Sequence, residues 1–236
     1  MPKGKFFCFS PPVMLATFAV EIGMALYVLW RYKLSALTRL VMLTLIFLAV
    51  FQMAEYMVCG GFGMSAKTWS RIGYVAITLL PALGMHIVHI IAGRKSRVMV
   101  GLVYAAALVC VIYFAFASSA INGQECLGNY VIFQLARWAS WLYVGYYYGL
   151  VAAGVGLCIR WSQTIRRQAT RHALRLFAVG YLTFVVPTIA ANLFSPSTLR
   201  GVPSIMCGFA VIFAIILTFG VLPLVDSSKL KQHTSH

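Results

Sequence analysis

Leu40–Cys59 reads LVMLTLIFLAVFQMAEYMVC, an apolar run in which Gln52 and Glu55 are the only strongly polar residues. It is about the 20 residues a helix needs to cross the roughly 30 Å hydrocarbon core of a bilayer. Polar and apolar residues do not alternate in it, which argues for a helix and against a strand of a membrane barrel. Six further runs share this character: Val13–Trp30, Ile72–Ala92, Val98–Ser118, Ala139–Cys158, Leu176–Phe194 and Val202–Leu222. The expected fold is an all-α membrane protein, a single seven-helix transmembrane bundle over residues 1–236. The loops are short, so a second domain has no stretch in which to bury its own core.

Composition supports the same class. Hydrophobic residues make up 61% of the chain and charged residues only 10%, against about a quarter charged in a soluble domain. The net charge of +15 resembles that of a nucleic-acid binder, but its distribution follows the membrane. Lys3, Lys5, Lys67, Arg71, Arg137 and Arg200 fall on the face that holds the N-terminus. The opposite face collects the other thirteen of the 19 basic residues. Arg31, Lys33 and Arg39 follow span one there, Arg94, Lys95 and Arg97 follow span three, and Lys229 and Lys231 lie in the tail. Arg160, Arg166, Arg167, Arg171 and Arg175 complete that face between spans five and six. The positive-inside rule puts this richer face in the cytoplasm and the N-terminus outside. Membrane lipids are the expected neighbours, and nucleic acid is not an expected partner. Lys3 and Lys5 precede an apolar run, as in a signal peptide. That run is long and lacks a small-x-small cleavage site, so it is read as span one.

The six cysteines show no CxxC or Cys/His ligand spacing, which argues against zinc. Cys59 and Cys126 both fall at the outer interface. They pair there in an oxidising compartment, or serve as small packing residues. Gly145 and Gly149 form a small-xxx-small pair that allows close helix approach, within the bundle or in a homodimer. Pro81 and Pro187 each remove a backbone donor from the middle of a span.

Ionisable residues inside a span are costly and are functional candidates by default. At 1.5 Å per residue, Glu21 lies about 12 Å and Glu55 about 6 Å below the outer edge. His86 and His89 lie about 21 and 25 Å down, with no carboxylate at their depth. They are weak candidates for a metal or haem, so no metal and no cofactor is expected. Near the depth of Glu55 stand Gln52, Trp69, Arg71, Tyr74, Arg137, Trp138, Trp141 and Asn192. A buried carboxylate needs a cation, and Arg71 or Arg137 supplies one. The set is read as a candidate ligand pocket near the outer side, against the plainer reading of helix-locking contacts and interfacial aromatics.

Phe51-Gln52-Met53-Ala54-Glu55, then Trp69-Ser70-Arg71-Ile72-Gly73-Tyr74 and Leu80-Pro81, resembles the amino-terminal seven-helix sensor region of bacterial histidine kinases. Arg166-Arg167-Gln168 before span six and Gly180 within it are similar as well. The resemblance implies a receptor-like bundle in the bacterial inner membrane that senses an outer or membrane-borne signal. Such proteins continue into a kinase or another output domain, whereas this sequence stops at His236. Output is therefore expected through a separate cytoplasmic signalling protein, docked at Arg160, Arg166, Arg167, Arg171 and Arg175. A small transporter or channel is the alternative. No nucleophile–base pair stands out, which favours a non-enzymatic role. A retinal Schiff base needs a lysine in the last span, and Val202–Leu222 has none.

Overall fold

The structure is a computed structural model that describes residues 11–60, 63–94, 96–117, 119–126, 131–194 and 202–226. Lys3, Lys5, Cys8, Lys95, Arg200, Lys229 and Lys231 lie outside the described residues. Helices α1 (Pro11–Arg31), α2 (Ala36–Gly60), α3 (Ala66–Ile91), α4 (Arg97–Phe116), α5 (Arg137–Thr164), α6 (Gln168–Phe194) and α7 (Val202–Ile215) carry the seven expected runs. All seven are long and apolar enough to cross a membrane, α7 through its continuation to Asp226.

Several helices begin earlier than the apolar runs alone indicate. The Ser65 side chain accepts from the Thr68 amide and caps α3, whose first residue Ala66 lies six residues before Ile72. Trp69 and Arg71 therefore stand inside α3, where sequence placed them ahead of the span. At the other end of the bundle, α5 runs on to Thr164 and α6 starts at Gln168, leaving a link of three residues that holds Arg166 and Arg167.

α3 is the axis of the molecule. It packs on α2, α4, α5 and α6, and most of its length is buried. Close approach is built from glycine. Tyr181 of α6 points its hydroxyl at the Cα of Gly84 on α3, where any side chain would collide with it. Its ring also lies 3.1 Å from where a Cβ on Gly154 of α5 would stand. Gly145 and Gly149 meet nothing within 4 Å, so among the described residues the small-xxx-small pair packs no neighbouring helix.

The stretch from Ser119 to Arg137, between the fourth and fifth apolar runs, contains a β-hairpin. Strand β1 (Ile121–Cys126) pairs antiparallel with β2 (Val131–Leu135), with a register shift between Ile121 and Gly123. β1 leans on α3 and α2. Phe133 of β2 turns inward, its ring 6.1 Å from Phe51 on α2 and 5.3 Å from Tyr74 on α3. A disulfide joins Cys126, the last residue of β1, to Cys59 in the last turn of α2, with Cα atoms 5.8 Å apart.

α7 widens into a π-helical turn, Ile216–Val221, before Leu222. Such a turn accommodates one extra residue. The buried stripe of the helix records it: Met206, Ala210, Phe213 and Leu217 are followed by Val221 and Val225, a step of four twice over. The Thr218 hydroxyl inside the turn is buried without a hydrogen-bond partner.

Candidate functional site

The hairpin end gathers much of the expected outer set. Gln52, Glu55 and Cys59 lie three and four residues apart on α2 and so share one side of it. Glu55 is 1% exposed and Gln52 is buried beside it, with its Nε2 lacking a partner. Tyr74 is buried in an aromatic cluster, 4.9 Å from Phe114 and 5.6 Å from Tyr143. Trp69 packs partly buried against the core. The side chains of Arg137 and Asn192 lie outside the described residues.

Trp138 and Trp141 do not wall a pocket, because both face outward from α5, Trp141 with 74% of its surface exposed. Trp138 touches Tyr113 edge-on at 5.3 Å on the flank of the bundle. Arg71 makes no ion pair with Glu55 among the described residues. Its Nη2 donates to the Ala117 carbonyl, just past the end of α4, at 3.2 Å. Its Nε is buried with no partner.

Arg71 stands at the mouth of a groove of about 360 Å³ between α2, α3 and α4. Phe47 and Val50 form one wall, Ile72, Val75 and Ala76 the floor, and Ala115 the other wall, with Thr68 beside Arg71 at the rim. These walls are half-buried, so the groove lies open on the flank of the bundle. From Thr68 to Ala76 it runs about 12 Å along α3. A guanidinium with unused donor capacity at one end and a wholly apolar trough behind it suit an amphiphile with an anionic head. The walls of this trough were not singled out in the sequence. Phe47 and Val50 carry no signal there, because every residue around them is equally apolar.

The bundle interior is tight. Its central void, lined by Thr44, Pro81, Tyr147, Tyr181 and Phe213 among others, measures about 20 Å³, close to the room for one water.

At the opposite end, His86 and His89 turn to different partners. The Nδ1 of His86 lies 3.2 Å from the Tyr104 hydroxyl, and the Nδ1 of His89 donates to the Met85 carbonyl at 2.8 Å. His89 meets Trp161 edge-on at 5.0 Å, and the Arg94 guanidinium lies 5.7 Å from the same indole. Arg160, Arg166, Arg167 and Arg175 are exposed around this corner. Arg171 is half-buried, and its Nε is buried without a partner.

Neither the protein-family models nor the curated proteins contain a match to this chain.

Proposed function

We propose that this is a receptor-like protein of the bacterial inner membrane that senses an anionic amphiphile in the Arg71 groove. The hairpin end lies outside and the arginine-rich end in the cytoplasm. The carrying observation is Arg71 itself: half-buried, with Nε unpartnered and a single hydrogen bond, to a main-chain carbonyl, among the described residues, at the head of an apolar trough. An arginine in such surroundings favours a carboxylate or phosphate group as counter-ion. The acyl tail of the same molecule then covers apolar surface along Ile72 and Val75.

Two features support the orientation. The disulfide Cys59–Cys126 belongs in an oxidising compartment. The described basic residues are denser at the other end, as the positive-inside rule requires. Occupation of the groove bears on α2, α3 and α4. α3 ends at the His89–Trp161–Arg94 corner, beside the arginines at which a separate cytoplasmic partner is placed. Glu55, buried on α2 beside Gln52, stays a structural anchor of the outer mouth in this reading. The alternative, a transporter or channel, has less support, because the central void holds about one water.

The test is lipid capture. Wild-type protein purified in mild detergent is expected to retain an anionic lipid or fatty acid, resolved by native mass spectrometry. Arg71→Ala is expected to lose it about tenfold or more, and Arg71→Lys to keep part of it, since lysine holds the charge without the fork. Equal retention of zwitterionic and anionic lipid by wild type and Arg71→Ala would remove the reading.

A further inference from the structure

Glu21 occupies the middle of α1, on the face with Met14, Met24, Ala25 and Val28 that packs against α2 and α7. The residue is 0% exposed, and among the described residues neither Oε1 nor Oε2 has a hydrogen-bond partner. A carboxylate deprived of water, donor and cation is strongly disfavoured in such surroundings, whereas the neutral acid is tolerated.

The neighbours sharpen this. The ionisable group that faces Glu21 from α2 is a second acid, Glu55, close enough to act on it electrostatically. Two carboxylates in one low-dielectric space resist being charged together. One turn before Glu55, Gln52 leaves its buried Nε2 unpartnered. α7 has no ionisable side chain among the described residues before Asp226, which is exposed at its far end. On α1 itself Tyr27 and Arg31 stand about 9 and 15 Å further along the axis, and Arg39 of α2 is exposed at that same end.

We infer that Glu21 is a proton-binding site in the interior of the bundle, and that its proton is what lets α1 seat against α2 and α7. The site takes a proton because both oxygens are enclosed and no cationic side chain among the described residues reaches them. This inference does not depend on the Arg71 groove, and its test does not involve lipid.

Infrared difference spectroscopy of the full-length protein in lipid reads it directly. The wild type minus Glu21→Gln spectrum at neutral pH is expected to contain the C=O stretch of a neutral carboxylic acid, shifted in D2O and indifferent to sodium. Bands of an ionised carboxylate in its place would overturn the proposal, and sensitivity of those bands to sodium would make a metal cation the occupant. A second measurement needs no variant. A hydrophobic carbodiimide adds to protonated carboxyls, so peptide mass spectrometry of the folded wild type is expected to find its adduct on Glu21 and to see it fall several-fold at alkaline pH. Absence of the adduct at every pH would equally defeat the proposal.

Discussion

The Tyr146 hydroxyl donates a 2.7 Å hydrogen bond to the main-chain carbonyl of Thr78, three residues before Pro81. Pro81 brings no N–H to this part of α3, and its ring crowds the carbonyls one turn back. Tyr146 supplies a donor from α5 to the same turn. The Thr78 side chain also donates to the Tyr74 carbonyl at 2.6 Å, so it reinforces the turn from within. The proline is thus accommodated by a bond between two helices.

Tyr146→Phe is expected to lower stability by about 0.5–1.5 kcal/mol, the net worth of one buried hydrogen bond. Tyr143→Phe serves as comparison, because its hydroxyl reaches the Thr78 hydroxyl only at 3.4 Å and should cost less. Thermal unfolding in one detergent ranks the two, and an inverted ranking would refute the role given to Tyr146.

Gly84→Ala places a methyl where the Tyr181 hydroxyl already lies. Overpacking of this kind costs about 1–3 kcal/mol. Gly149→Ala adds its methyl to open surface and should change stability by no more than about 0.5 kcal/mol. Parallel melting curves decide it: equal losses would mean that the Gly149 face is packed, as in a homodimer.

The disulfide closes a stretch of 67 residues between Cys59 and Cys126. Its loss in Cys59→Ser is expected to cost about 2–4 kcal/mol and to free the hairpin for limited proteolysis. In intact cells a membrane-impermeant reductant should open the bond and expose both thiols to an impermeant maleimide. Thiols that react only after permeabilisation would reverse the proposed orientation.

The seven helices were legible because a length and continuous apolarity fit for crossing a bilayer are written in every residue of the runs. Glu55 was legible as an inward-facing acid, since a lone carboxylate in such a run is costly against lipid. Helix rotation was not legible. α5 is apolar and aromatic on all sides, so nothing in its sequence tells that Tyr143 faces inward while Trp138 and Trp141 face out. The hairpin left a faint signal, the β-branched and aromatic segment Val131-Ile132-Phe133 after Gly128-Asn129. It is too short to compete with its reading as a loop between two long spans. The groove arises only when three helices converge, and no single helix announces it.

The extra residue in the wide turn of α7 makes that helix two segments out of phase. Counted from Met206, the inward positions fall on one frame as far as Leu217, and Val221 and Val225 belong to another. If the turn straightened into an ordinary helix with all its residues kept, everything beyond it would rotate by about 100°. Val221 and Val225 would then leave the core, and Gly220 and Leu224 would take their places. Deleting one residue inside the turn instead removes the bulge and keeps Val221 and Val225 inward, so α7 should tolerate that deletion better than an insertion.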